Sequence, residues 1–228
     1  MSHLTIVYKD KDVIIIDKPV GMPSQSDPTG DADAMKVTSD MLSAMGEDPT
    51  LFLVHRLDRV VGGLIAFARN KSAAAELSRT VADGEMEKLY FAICHGRIAE
   101  GGELCDFIYK DSASNKAYAV KTNRRGAKPA RLTHKPLCYS NTDDATLLEV
   151  SLATGRFHQI RVQLSSRTHP LIGDKKYGSR DAHVRVPALY AHSLSFTIFG
   201  RAVSVSSQPD ITAYPWNLFD AEKYGITE

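Results

Sequence analysis

A chain of 228 residues with 43% hydrophobic and 24% charged side chains, at a formal net charge of +1, has ordinary globular composition and length for one large domain or two closely packed halves. No stretch approaches the roughly 18 consecutive apolar residues of a membrane helix, and Met1–Asp10 lacks the apolar core of a secretory leader, so the expectation is a cytoplasmic protein without a membrane partner. Cys94, Cys105 and Cys138 form no Cys-x-x-Cys pair, which argues against a disulfide framework and a structural zinc site.

Along the chain, Leu4–Tyr8 and Asp12–Asp17 are β-rich runs around the charged turn Lys9-Asp10-Lys11 and read as a hairpin. Lys18-Pro19-Val20-Gly21-Met22-Pro23 then breaks regular structure. Met35, Thr38, Met41, Leu42 and Met45 recur at helical spacing and predict a helix over Asp31–Gly46. Leu51–Val54 is a short apolar run, and Leu64–Ala68 reads as a buried strand. Asn70 is the expected N-cap of a helix with Ala74, Leu77 and Val81 on one face, closed near Gly84. Lys88–Cys94 returns to strand, with Cys94 and His95 sent to opposite faces as packing residues. Later strands are clearest at Arg131–Tyr139, Ala145–Leu152, Leu189–Phe196 and Ala202–Val205. Residues 156–166 read as a helix with Phe157, Ile160 and Leu164 on one side. Nothing repeats and no long linker divides the chain. The expected architecture is α+β, one domain over residues 1–228, its two halves packed around one cleft and its spine a mixed or antiparallel sheet flanked by helices and loops.

Charge is segregated. Residues 1–50 hold nine acidic and four basic side chains, whereas residues 110–135 hold Lys110, Lys116, Lys121, Arg124, Arg125, Lys128, Arg131 and Lys135 against Asp111 alone. Such a stretch suits a phosphate backbone, and equally a solvated loop. Leu53–Leu64 places His55, Arg56, Asp58 and Arg59 between apolar runs, where charge is costly unless paired or used. Asp58 between Arg56 and Arg59 is expected to stay ionised, and Gly62-Gly63 to admit another chain or a ligand close to the backbone. A structural ion pair is the alternative. In Thr154–Arg161, a helix would put His158 and Arg161 on one face. Arg161 would then either snorkel from an apolar edge or hold a carboxylate bidentately.

These segments carry a resemblance. His55-Arg56-Leu57-Asp58 followed by Gly63-Leu64, and Gly155-Arg156 followed by His158-Gln159-Ile160-Arg161, are similar to the two signature motifs of the RluA-type family of RNA pseudouridine synthases. Lys18-Pro19 with Gly21 resembles the family's Lys-Pro element, and Lys88 with Tyr90 and Gly96 its tyrosine strand. Gly173-Asp174 with Tyr177-Gly178, and Ala191-His192 with Leu194 and Phe196, resemble its C-terminal elements. The similarity runs from about residue 4 to residue 208. Two departures stand out. Val61-Gly62 replaces a usual Thr-Ser pair, and the small S4-type RNA-binding domain that some relatives carry N-terminally is not expected here.

The resemblance implies the pseudouridine synthase fold and conversion of uridines in structured ribosomal or transfer RNA to pseudouridine, with RNA as partner and no cofactor or metal. It makes Asp58 the nucleophile or base; attack on ribose, attack on uracil C6 and proton abstraction from ribose all stay open. By the same implication Arg161 pairs with Asp58, Tyr90 stacks on the base and takes the proton from C5, and Arg56 fills the stack vacated by the flipped base. His55 and Arg59 flank this segment in an RNA-contacting role, His55 and His158 supporting the loops more than the chemistry. Lys121, Arg124, Arg125, Lys128 and Arg131 are expected to track phosphates. A monomer is the default. The rival reading is an RNA-binding or ribosome-assembly factor that kept the fold and lost turnover. A zinc deaminase is disfavoured because His-x-Glu with Pro-Cys-x-x-Cys is absent; a glycosylase would release free uracil.

Overall fold

The computed structural model describes residues 4–219, so the ends of the expected 1–228 domain lie outside the described residues. In chain order the elements are β1 (Thr5–Lys9), β2 (Val13–Lys18), α1 (Ala34–Ala44), β3 (Phe52–Leu53), β4 (Gly62–Ala68), α2 (Lys71–Ala82), β5 (Glu87–His95), β6 (Gly102–Asp111), β7 (Lys116–Val120), β8 (Ala127–Ser140), β9 (Ala145–Leu152), α3 (Gln159–Ser165), β10 (Leu189–Ile198) and β11 (Arg201–Ser206). They fall into two compact units, Met1–Lys88 with Ala191–Pro209, and Leu89–Tyr190 with Asp210–Glu228. No helix among the described residues is long and apolar enough to cross a membrane.

In the first unit the strands run β1-β2-β4-β10, with β11 on β10 and β3 on β4. β1 and β2 form the expected hairpin, antiparallel with a register shift between Ile6 and Tyr8. Its turn is held by the Asp10 carboxylate, which accepts the N–H groups of Asp12 (2.7 Å) and Val13 (2.8 Å). All seven residues of β4 are buried, which is why Leu64–Ala68 reads as an unbroken apolar run instead of an alternating one. Val13, Ile15, Leu64, Ala66, Leu194 and Phe196 share one core with Leu77 of α2.

The helices start where their caps are. Asp33 accepts the Lys36 N–H at 2.9 Å, so α1 begins at Ala34 instead of Asp31, and Met45, 53% exposed, falls outside its buried stripe of Ala34, Thr38 and Leu42. Asn70 caps α2 as expected, accepting the Ala73 N–H at 2.8 Å. The buried ridge of α2 is Ala73, Leu77 and Thr80, with Ala74 and Val81 half-buried at the rim.

In the second unit the order is β5-β9-β8-β6-β7, each neighbouring pair antiparallel. Phe91, Ile93, Leu147, Ile172 and Phe219 build one core, and Ile108, Ala117, Ala130, Val162 and Tyr177 a second beside α3. α3 is shorter than the expected 156–166 helix. His158 sits at its N-cap in the left-handed region (φ 54°), so His158 and Arg161 are not neighbours on one helical face.

Gly63 is expected to allow a close approach, and the approaching chain is β10. Its φ is +108°, and a Cβ there would lie 2.3 Å from the Ala191 carbonyl oxygen and 2.6 Å from the Ala191 nitrogen. A side chain would meet both a steric and a conformational penalty. Gly63→Ala should therefore lower unfolding free energy by roughly 3 kcal/mol, read from urea midpoints; a midpoint equal to that of the parent protein would contradict this account of the β4–β10 packing.

Candidate functional site

Two charged segments carry the candidate chemistry, one in each unit. In the first unit, the segment ending at Asp58 is clamped through its backbone. The buried Ser24 hydroxyl accepts the Leu57 N–H at 3.1 Å and donates to the Leu57 carbonyl at 2.8 Å. Gly21 N–H donates to the Arg59 carbonyl at 2.8 Å, and Val61 N–H to the Asp58 carbonyl at 3.0 Å. The turn after Asp58 is thus closed by main chain, with Val61, 3% exposed, turned into the core. Asp58 is left half-buried on a backbone fixed from both sides.

Among its neighbours, Arg56 is exposed, free of the packing that holds the rest of the segment. Arg59 is tied to the 27–31 loop through an ion pair with Asp31 and a 3.0 Å hydrogen bond to Thr29 Oγ1. His55 Nε2 accepts the Ala66 N–H at 3.0 Å. Burial, with the charge of Lys88 adding to it, pushes the His55 imidazole down to about 3, so at neutral pH it is an uncharged acceptor bracing β4. The ring thereby supports the strand that follows the Asp58 segment.

A buried cation of this unit that feels the Asp58 carboxylate is Lys18, which in sequence stands in the Lys-Pro element. Its side chain has no solvent exposure, and its Nζ donates to the carbonyls of Pro19 (3.0 Å) and Met22 (2.8 Å). Burial brings the ammonium down to about 8, opposed first by the carboxylate of Asp58 and then by that of Asp17. In sequence Lys18 lies two residues beyond the apolar run Val13–Ile16, and in β2 it is buried with that run while Asp17 between them stays half-buried.

In the second unit, the 154–161 segment is fastened to β8. Gln159 Oε1 accepts from the Thr154 hydroxyl (2.8 Å) and the Arg156 N–H (3.0 Å), while its Nε2 donates to the Arg131 carbonyl (3.1 Å). Arg156 Nε donates to the Pro129 carbonyl at 2.9 Å. Arg161, 4% exposed, does hold a carboxylate bidentately: Nε and Nη2 lie 2.7 and 2.9 Å from the two oxygens of Asp174, itself 1% exposed. In sequence Asp174 stands in the Gly173-Asp174 element, with no local sign that it is the partner of Arg161. Its guanidinium partner also lies 5.1 Å from the centroid of the Tyr177 ring. The Tyr177 hydroxyl accepts the Ala117 N–H at 2.8 Å and lies 2.8 Å from His158 Nδ1. Burial, with Arg161, Lys176 and Lys110 adding positive charge, depresses His158 to about 3.

Tyr90, 6% exposed, lies in β5 opposite Val150. Lys121, Arg124, Arg125, Lys128 and Arg131 are all exposed, on and around the β7–β8 connection, with Arg131 3.6 Å from Glu103. Cys94 is buried in β5 and its thiol is pushed up to about 12 by burial, in keeping with a packing role. Among the described residues, no three His, Cys, Asp or Glu side chains converge as metal ligands.

The family model for RNA pseudouridylate synthase matches residues 12–166. The chain is 34% identical over 206 residues to ribosomal large subunit pseudouridine synthase D of Nitrosomonas europaea, an alignment covering 85% of this chain and 58% of that protein. It therefore spans little more than half the length of that relative. To tRNA pseudouridine synthase C of Vibrio vulnificus it is 32% identical over 184 residues, covering 77% of this chain and 74% of the other. Among solved structures, human RNA pseudouridylate synthase domain containing 1 superposes with a TM-score of 0.74 at 24% identity, covering 94% of this chain and 86% of that one. Human RNA pseudouridylate synthase domain containing 4 gives 0.75 at 22%, covering 96% and 92%. The fold is the expected α+β pseudouridine synthase fold.

Three histidines with lowered pKa values make stability sensitive to mild acid. His55 and His158 titrate near 3 and His192 near 4 in the folded chain, each lowered chiefly by burial from an ordinary value of 6.5. Between those values the unfolded chain binds more protons, so stability is retained above about pH 6.5 and lost as pH falls below it. At pH 5.5 each histidine should cost about 1 kcal/mol relative to pH 7.5. Urea unfolding across this range should show the loss, with a shallower dependence in His158→Gln; a flat profile would contradict neutral buried rings.

Proposed function

The chain belongs to the RluA-type family of RNA pseudouridine synthases, and we propose from this that it isomerises uridine to pseudouridine in folded ribosomal or transfer RNA, with Asp58 as the initiating carboxylate. The observation that carries the proposal is Asp58 itself: it is retained within the matched span, half-buried on a clamped backbone, with the Lys18 ammonium inside electrostatic reach. A carboxylate so held can act as nucleophile or base.

The reaction breaks the bond from uracil N1 to ribose C1′, turns the base, and joins C5 to C1′. The C5 hydrogen leaves as a proton and N1 gains one, so the change is internally balanced and calls for no external electron acceptor. The target nucleotide must leave its stack to reach a side chain, at a cost of roughly a few kcal/mol. In this reading Tyr90 contacts the base and receives the C5 proton, and Arg161 supplies positive charge to the carboxylate. The exposed guanidinium of Arg56 takes the place of the extruded base. The exposed cations between Lys121 and Arg131 bind phosphates. The replacement of a hydroxyl pair by Val61-Gly62 keeps a second reading alive, an RNA-binding factor without turnover.

Tritium release from RNA containing 5-tritiated uridine separates the two. Asp58→Ala should abolish release while RNA affinity changes by less than about twofold, since only the chemical step loses its group. Release by the unaltered protein that persists undiminished in Asp58→Ala would overturn the assignment. RNA affinity should also fall with salt, and replacing Arg124, Arg125 and Lys128 by Gln should reduce the slope of log K against log salt by about 0.7–0.9 for each phosphate no longer neutralised. Pseudouridine maps of RNA from cells with and without the gene identify the uridine.

A further inference from the structure

Strand alternation in β6, β7 and β8 produces two unlike faces. One face buries Ile108, Ala117 and Ala130 against Val162 of α3 and Tyr177. Residues paired across antiparallel strands share a face. Tyr109 pairs with Tyr118, Phe107 with Val120, and Cys105 with Arg131, so all of these lie on the other side. That side stays open to solvent: Tyr118 is 42% exposed and the Arg131 side chain 62%. It carries aromatic rings and cations in contact. The Arg124 guanidinium lies 4.2 Å from the centroid of the Tyr109 ring, and at the edge of the face Lys116 Nζ lies 5.7 Å from that of Tyr118 and 5.5 Å from that of Tyr177. The segment 110–135 that supplies most of this surface has eight basic side chains and one acidic one.

We propose that this open face of β8-β6-β7 is a platform on which unpaired nucleotides of the RNA substrate stack, a binding surface separate from the residues assigned to chemistry. The proposal rests on RNA being the substrate and adds where its single-stranded part lies. Charge complementarity selects the occupant. Tyr and Arg also occur in protein–protein interfaces, but lysines and a strong single-sign charge do not; five Lys and three Arg against one Asp, interleaved with aromatic rings, present what a single strand requires, flat surfaces for bases and cations for phosphates. A duplex keeps its bases stacked on one another, so unpaired nucleotides are the fitting ligand.

The probe is a fluorescein-labelled oligouridylate of about twelve nucleotides, compared by anisotropy with an RNA hairpin of equal length. Tyr118→Ala should weaken oligouridylate binding about tenfold, Tyr118→Phe by less than about twofold, and the salt slope should be unchanged because no charge is removed. Ultraviolet crosslinking of the unaltered protein to the same RNA should place adducts between Phe107 and Val120, a readout that needs no variant to fold. Wild-type affinity in Tyr118→Ala with adducts only elsewhere overturns the platform. So does a dimer in sedimentation that Tyr118→Ala dissolves, because the face is then closed by a second copy. Failure of tritium release with platform binding intact rejects the enzymatic reading alone, and release with no effect of Tyr118→Ala on binding rejects the platform alone.

Discussion

An ammonium group with no access to water has to find its partners inside the protein, and Lys18 imposes that requirement on everything near it. β2 is apolar from Val13 to Ile16, so its burial carries Lys18 inward, where an unpaired charge costs several kcal/mol. The chain that follows bends so that the Pro19 and Met22 carbonyls meet Nζ. The same stretch then delivers Ser24 to the backbone of Leu57 and Gly21 to that of Arg59, on either side of Asp58. One buried cation thus meets the loop that fixes the candidate carboxylate and also lies within electrostatic reach of that carboxylate.

The second unit solves a similar problem with a different pair. Arg161 and Asp174 are both buried, and their two-point geometry uses the planar guanidinium in a way a lysine cannot. Beside the pair lies an uncharged imidazole. His158 is held neutral against the Tyr177 hydroxyl, and that hydroxyl takes the Ala117 N–H of β7. Gln159 joins the Gly155-Arg156 turn to β8 through the Arg131 carbonyl. The arginine is therefore held by strands and helix together, and its position is as rigid as theirs.

Much of this is legible in the sequence because local signals and global burial agree. The Asp10 turn, the Asn70 cap and the wholly buried β4 follow from turn chemistry, capping and an unbroken apolar run. What escapes the sequence depends on partners distant along the chain. Nothing near Asp174 announces that it grips Arg161, and the burial of Lys18 is set by strands on either side of β2. The start of α3 differs from expectation because Phe157 extends the helical spacing while the left-handed backbone at His158 interrupts it. The ridge of α2 shifts by one residue because Ala73 and Ala74 are equally apolar, and only the packed core chooses between them.

The first unit is discontinuous along the chain: β4 ends at Ala68, and the strand whose backbone passes over Gly63 begins at Leu189. On a translating ribosome adding about 5–20 residues per second, about 120 residues must emerge between the two, a delay of roughly ten seconds. During that interval the edge of β4 that β10 will cover has no native cover along most of its length, a sticky border in a crowded setting. The newborn protein is therefore most exposed to misassociation before its C-terminal strands arrive, and Gly63 is what lets their close docking cover that border.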